Sequence, residues 1–407
     1  MRILLAGVPF GRFAMEGTNV GDEAILECAV AIFREARPGA SITASARDME
    51  RTAQRLGIET CRLLGHSGDV SPADTTEIVA AHDCFVWCGA TGLSDYPLAT
   101  TGIMRLAQQL GKKTILWGCG MNDELNPELY KLQPGKRLKL LKTMEMASLG
   151  LFKGVAWKER RLGAQAKREI AQCLNAADLV VVRDPQSRDE VLKCGVTREV
   201  IVGADSAILM KPTTLENMLL APGVKETLVS DAPKIGLCIS AQRAIHNERE
   251  LAACLDQIIL ETDAQIVAIP MNPLTDSVLM ARLVGYMENR ARMLLLTGEY
   301  QPAEIVTIAS RMNVVISSRL HLLILAATVG IPIIGIARGS KVDNFLRPFG
   351  LSTVGSMDAC DFDALRNELV RMLGRPDDFK QRNQRVMAEL FTRLEDAKER
   401  LKQVLSE

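Results

Sequence analysis

Aromatic residues are scarce in this chain. Phe, Trp and Tyr make up 4% of its 407 residues, against 47% for hydrophobic residues as a whole. A core built on those terms rests on Val, Ile, Leu and Ala, the residues of buried strands and the helices that cover them. Net charge is absent too: 49 Lys and Arg balance 49 Asp and Glu, so bulk charge gives no reason to expect a nucleic-acid binder. No apolar run reaches the roughly 18 residues of a membrane span. Met1–Ala6 reads as a short strand rather than a charged segment leading into an apolar one, so no secretory signal is expected. None of the ten cysteines belongs to a Cys-x-x-Cys pair, and no Cys/His cluster has zinc spacing. Several (Cys84, Cys88, Cys119, Cys238, Cys254) lie inside apolar runs and read as reduced core residues of a cytoplasmic protein.

A chain this long exceeds one ordinary core, and two domains are expected. In the first half, Ile3–Ala6, Phe85–Trp87, Thr114–Trp117 and Leu179–Val182 read as strands, and Glu23–Arg37 as a helix ending near Pro38-Gly39. The alternation implies a mostly parallel sheet covered by helices. Lys211-Pro212, Pro222-Gly223 and Ala232-Pro233 interrupt it. The expected division is a domain over 1–212, a linker over 213–233 and a second domain over 234–375. In the second domain Ile235–Ile239, Gln265–Ile269, Met293–Leu296, Val314–Ile316 and Ile333–Ile336 read as strands. Residues 376–407 form a charged helical pattern that either packs across the domains or stands in solvent.

Histidine is rare as well, with four in the chain, and one stands at a turn that suits an anion. Ser317-Ser318-Arg319-Leu320-His321 joins a strand to the apolar helix Leu320–Val329. The start of a helix offers unpaired N–H groups and partial positive charge; a guanidinium and an imidazole there suit a phosphate or carboxylate. Arg319 as a cap and His321 as a bonded core histidine is the competing reading. Ligands of open parallel sheets bind beyond the carboxyl ends of strands. That rule gathers Arg243, Ser318, Arg319, His321, Arg338 and Lys341 at one edge, with Asn272 and Asp276 nearby. Polar residues are also ordinary in turns, yet the bias of this set is cationic. In the first half, Asn19-Val20-Gly21-Asp22-Glu23 precedes a helix whose positive end favours Asp22 and Glu23. It is neither a dinucleotide fingerprint nor a P-loop. The glycine turns at Gly89–Gly92 and Gly118–Asn122 would let a ligand approach the backbone.

Together these motifs resemble the polysaccharide pyruvyl transferase family. The matching elements are Asn19–Leu26, Gly118-Cys119-Gly120, Val182–Ser187 with Gly195-Val196, Ala204-Asp205, Ile269-Pro270-Met271 with Asp276, and Arg319-Leu320-His321 through Gly330-Ile331-Pro332 to Lys341. The resemblance implies an α/β protein of two Rossmann-like domains facing a cleft, GT-B-like, with mostly parallel sheets. It implies transfer of a carboxyethylidene group from phosphoenolpyruvate to two sugar hydroxyls of a cell-surface polysaccharide or its lipid-linked precursor, giving a ketal and phosphate. Phosphoenolpyruvate would be a co-substrate, with no metal and no further cofactor. The family's Arg-x-His motif falls on Arg319 and His321, and its upstream arginine on Arg243; these are the expected catalytic residues. Ser318, Arg338 and Lys341 are expected on the donor, and Asn19, Asp22, Glu23, Gly89, Gly92 and Asn122 on the acceptor. Two departures stand out: Cys88-Gly89-Ala90-Thr91-Gly92 replaces a Gly-Gly-Gly run, and Ala337–Ser340 replaces the usual Tyr-Asp before the late lysine.

The alternatives are a GT-B glycosyltransferase using a nucleotide sugar, or a non-catalytic sugar- or phosphate-binding module. One region stands apart from all three. Lys131–Arg168 holds eleven Lys and Arg against Glu145 and Glu159, interleaved with apolar residues such as Leu140, Met144, Phe152 and Trp157. It reads either as a solvated pair of helices or as an interfacial patch for anionic lipid, which would place the protein at the inner face of a membrane.

Overall fold

The computed structural model describes residues 1–7, 19–65, 70–123, 125, 132, 134–148, 151–241 and 247–407. Arg243 and Lys131 lie outside the described residues. Two compact units are present. One holds Met1–Gly7, Arg34–Gly203 and Ala397–Glu407; the other holds Ala204–Asp396 with the described part of Val8–Phe33.

The first unit contains a seven-stranded sheet, β1 (Arg2–Ala6), β2 (Ser41–Ala46), β3 (Glu59–Arg62), β4 (Cys84–Cys88), β5 (Lys113–Cys119), β6 (Leu179–Val182) and β7 (Ile201–Val202). Its order is β3-β2-β1-β4-β5-β6-β7, and every described pairing is parallel. The second unit contains β8 (Lys234–Cys238), β9 (Gln265–Ala268), β10 (Met293–Leu295), β11 (Val314–Ser317) and β12 (Ile333–Gly335), ordered β10-β9-β8-β11-β12 and again parallel. The central strands β4, β6, β8 and β11 are buried along their whole length. Burial on both faces is why they read as largely apolar runs rather than alternating ones. Strands β2, β3 and β7 escape the sequence reading. β2 is Ser-Ile-Thr-Ala-Ser-Ala, β3 is Glu-Thr-Cys-Arg, and β7 has two residues; none forms a hydrophobic run.

The first helix, Val20–Ala36, starts ahead of the expected Glu23 because Asn19 caps it. The Asn19 carbonyl accepts from the N–H groups of Asp22 and Glu23, and its Oδ1 from Gly21 N at 3.1 Å. The stretch 213–233, expected as a linker, carries a short 3-10 turn, Leu215–Asn217, and a helix, Pro222–Val229, begun by its proline. Leu215, Val224 and Leu228 bury their side chains there.

The charged tail is the helix Pro376–Ser406, and it packs. Phe379 stacks on Phe349 with ring centroids 5.9 Å apart in the second unit. In the first unit, Lys398 Nζ lies 2.6 Å from Glu35, and Leu401 and Leu405 are buried. All ten cysteines are free, eight of them buried. Among the described residues, no helix is long and apolar enough to cross a membrane.

Candidate active site

In the second sheet the strand order reverses between β8 and β11, and the turns that follow these two strands meet there. Ser318, after β11, accepts a hydrogen bond on Oγ from Ser240 N, after β8, at 2.8 Å. Arg338, after β12, donates from Nη1 to Ser240 Oγ at 2.8 Å. Arg319 turns inward. Its Nε and Nη2 donate to the two carboxylate oxygens of Asp276, at 3.1 and 2.6 Å, and the pair is almost wholly buried. Asp276 also accepts from the N–H groups of Ala241 at 3.2 Å and Asn272 at 3.0 Å. One carboxylate thus ties together the turns after β8, β9 and β11. Burial alone would push the Arg319 guanidinium down, but Asp276 outweighs it and holds it above its usual value.

His321 stands in the first turn of Leu320–Thr328, a helix whose other residues are almost all buried. An apolar helix so enclosed holds its one imidazole firmly. The ring lies against the start of Val20–Ala36, where a Cβ added to Gly21 would come within 2.2 Å of Nδ1. On the other side, Nε2 is 3.5 Å from Asp205 Oδ2, and among the described residues it has no hydrogen-bond partner. A structural core histidine would be bonded at that nitrogen; Nε2 of His321 is not. Asp205 is itself fixed, accepting from Ala207 N at 3.1 Å on its other oxygen.

Asp22 completes the group. Burial pushes its carboxyl up from the usual carboxylate value; the charges of His321, Lys341 and Arg319 oppose that rise and Asp205 adds to it. The second unit therefore brings together Asn19, Asp22, Ser318, Arg319, His321, Arg338 and Lys341 of the expected set. Glu23 follows Asp22 in the same helical turn. The expected preponderance of cations is tempered by Asp22, Asp205 and Asp276, because a buried guanidinium requires a carboxylate partner.

Gly89, Gly92 and Asn122 lie in the first unit and form a set of their own beyond β4 and β5. Gly89 turns at φ 67°. A Cβ on Gly92 would meet Thr100 Oγ1 at 2.8 Å and Trp87 Nε1 at 2.9 Å. Asn122 donates through Nδ2 to Asp95 Oδ1 at 3.3 Å, and its N–H bonds Ser94 Oγ at 3.1 Å.

The sequence profile of the polysaccharide pyruvyl transferases matches residues 19–340, most of the chain. The chain belongs to the polysaccharide pyruvyl transferase family. No curated protein matches it. Several solved structures share its fold. Anabaena HepE in complex with UDP-glucose aligns with a TM-score of 0.59 at 14% identity, over 100% of this chain and 99% of that one. Staphylococcus aureus MnaA with UDP gives 0.59 at 12% identity, over 94% and 90%. The UDP-GlcNAc 2-epimerase of Neisseria meningitidis bound to UDP-GlcNAc gives 0.58 at 14% identity, over 100% of both chains. The fold is of the GT-B type, with two Rossmann-like α/β domains.

As a pyruvyl transferase family member the chain is a transferase of polysaccharide biosynthesis, and its family implies a saccharide acceptor. The matched span opens at Asn19, the helix cap beside the His321 group, and closes at Ser340, next to Lys341. Where the family carries Gly-Gly-Gly, Ala90 adopts φ 55°, a left-handed conformation that favours glycine. Three members of the site, Gly21, Asp205 and Asp276, carry no expected catalytic or binding role, although Asp276 is among the residues placed near the strand ends. Each lies in a stretch that matches the family, and for Asp205 an acid inside the apolar run Ile201–Leu209 was the available signal.

Proposed function

We propose that the protein transfers a carboxyethylidene group from phosphoenolpyruvate to two hydroxyls of a saccharide, forming a ketal and releasing phosphate. The observation that carries this reading is the unbonded Nε2 of His321, held beside Asp205 and in charge contact with Asp22, a carboxylate that Lys341 and Arg319 also reach. A proton passes from His321 to the methylene carbon of the enol phosphate, leaving an oxocarbenium-like centre. The first sugar hydroxyl attacks that centre and gives its proton to Asp22. The C–O bond to phosphate breaks, and the second hydroxyl closes the ketal. Of the two hydroxyl protons, one replaces that spent on the carbon and the other leaves with phosphate. Arg338, Lys341 and Arg243 hold the phosphate and carboxylate of the donor; Arg319, committed to Asp276, keeps the turn in place. Asn19, Glu23, Gly89, Gly92 and Asn122 are assigned to the acceptor.

A second reading, a GT-B transferase using a nucleotide sugar, is favoured by neighbours whose structures contain UDP or UDP-sugars. One assay separates the two. Incubation with phosphoenolpyruvate and a saccharide acceptor should release inorganic phosphate only when both are present. Release of UDP from a UDP-sugar instead, with phosphoenolpyruvate inert, would establish the second reading. Binding of either without turnover would leave a binding module.

A further inference from the structure

We propose that the helical hairpin formed by Lys136–Ala147 and Gly154–Asn175 docks the protein on an anionic lipid surface. The inference is independent of which donor the site uses. No residue of Lys136–Ala147 is buried. Leu138, Leu141 and Glu145 are its half-buried positions. Leu140 and Met144, one turn apart on the adjoining, outward side, are 62% and 47% exposed. The hairpin's end is apolar and open: Met146 is 72% exposed, Leu151 91% and Trp157 55%. The Phe152 ring folds back over Gly154, where an added Cβ would lie 2.4 Å from it and 3.0 Å from Leu141. That contact joins the end of the first helix to the start of the second.

Charge identifies the occupant. Between Lys136 and Arg168 there are ten Lys and Arg and two carboxylates. Both carboxylates are half-buried and bonded to backbone: Glu145 Oε1 accepts from Val155 N at 2.9 Å, and Glu159 Oε1 from Leu132 N at 3.0 Å. What remains outward is cationic, with Lys142 and Lys153 exposed near the apolar end, and Arg161 stacked 5.6 Å from the Trp157 ring. Exposed aliphatic side chains ringed by cations fit headgroups and acyl chains. A second copy fits poorly, because a two-fold contact would set the same cations face to face. Exposed Leu and Met also suit acyl chains better than nucleic-acid bases, which stack on aromatics.

Trp87 and Trp117 are buried, leaving Trp157 as the exposed one of three tryptophans, so the native protein carries its own reporter. Flotation should be measured with phosphatidylcholine vesicles, with and without phosphatidylglycerol, at low and high salt. The full-length protein should float with the anionic vesicles at low salt, with a blue shift of Trp emission, and be released at high salt. A variant with Lys136, Arg137, Lys139 and Lys142 changed to Gln should lose at least tenfold in partitioning. Leu151→Ser with Met146→Ser should lose a comparable factor while melting like wild type. Turnover on a short soluble saccharide should be unchanged in both. No flotation at low salt, or equal flotation of wild type and both variants, would overturn the proposal. So would a wild-type dimer that Leu151→Ser dissociates without any effect on vesicle binding.

Discussion

The imidazole of His321 occupies the space that a side chain at position 21 would need. A Cβ on Gly21 would lie 2.2 Å from Nδ1, 2.3 Å from Cγ and 2.6 Å from the Cβ of the histidine. The last distance means that turning the ring cannot relieve the clash; one of the two helices must move. Gly21 is therefore a packing requirement of the site, beyond any backbone freedom it supplies.

Gly21→Ala should cost about 1–3 kcal/mol of stability through overpacking and should displace His321. His321→Asn should keep the fold and lower turnover by about two to four orders of magnitude, the usual weight of a general acid. A double-mutant cycle on stability is decisive. In a His321→Ala background, Gly21→Ala should cost much less than in wild type. Strictly additive effects would mean that the glycine serves something other than the ring. A His321→Asn enzyme with wild-type turnover would remove the histidine from the chemistry.

Arg319 and Asp276 make a second separable prediction. Arg319→Ala leaves a carboxylate buried without its guanidinium, a change that costs about 3–5 kcal/mol. Asp276→Ala strands the guanidinium with a similar penalty, and the double replacement should cost less than the sum. Arg319→Lys keeps the charge but not the two-point contact, and its stability in urea should fall between wild type and Arg319→Ala. Loss of turnover in Arg319→Ala should accompany this loss of stability. A stable but inactive Arg319→Ala would instead mean that the guanidinium contacts the donor directly.

The sequence made part of this site legible and hid part of it, for physical reasons. Strands buried on both faces announce themselves as apolar runs, and so β8 and β11, and the Ser318-Arg319-Leu320-His321 turn between a strand and an apolar helix, could be read directly. The partner of Arg319 could not. Asp276 is 43 positions away, and nothing local says which turn its carboxylate faces. Gly21 and His321 are farther apart still, and a glycine's lack of a side chain shows its purpose only once its neighbour is known. Strands β2 and β3 lack the apolar pattern because small and polar residues fill them. The cationic character expected of the strand ends overlooked that buried charges arrive in pairs.

Asp22 links the site to pH. Burial raises its carboxyl above the usual 3.8, against the opposing charges of His321, Lys341 and Arg319. Over the interval between 3.8 and the raised value, the folded protein holds a proton that the unfolded chain has released. Unfolding free energy from this group therefore falls as pH rises through that interval. Glu35, held low by its hydrogen bond to Lys398, and Asp83, held low by the Arg2 backbone N–H, contribute slopes of the opposite sign at lower pH. The informative quantity is thus the difference between wild type and Asp22→Asn. Urea denaturation across a pH series should show the variant gaining on wild type as pH climbs above 3.8. Activity should follow the same ionisation. If Asp22 takes the acceptor's proton, kcat/KM should rise with pH through the raised value, on an acid limb above that of an ordinary carboxylate. Asp22→Asn should lower the rate and erase the limb. An acid limb at the ordinary carboxylate position, unchanged in Asp22→Asn, would take Asp22 out of the proton transfer while leaving its effect on stability intact.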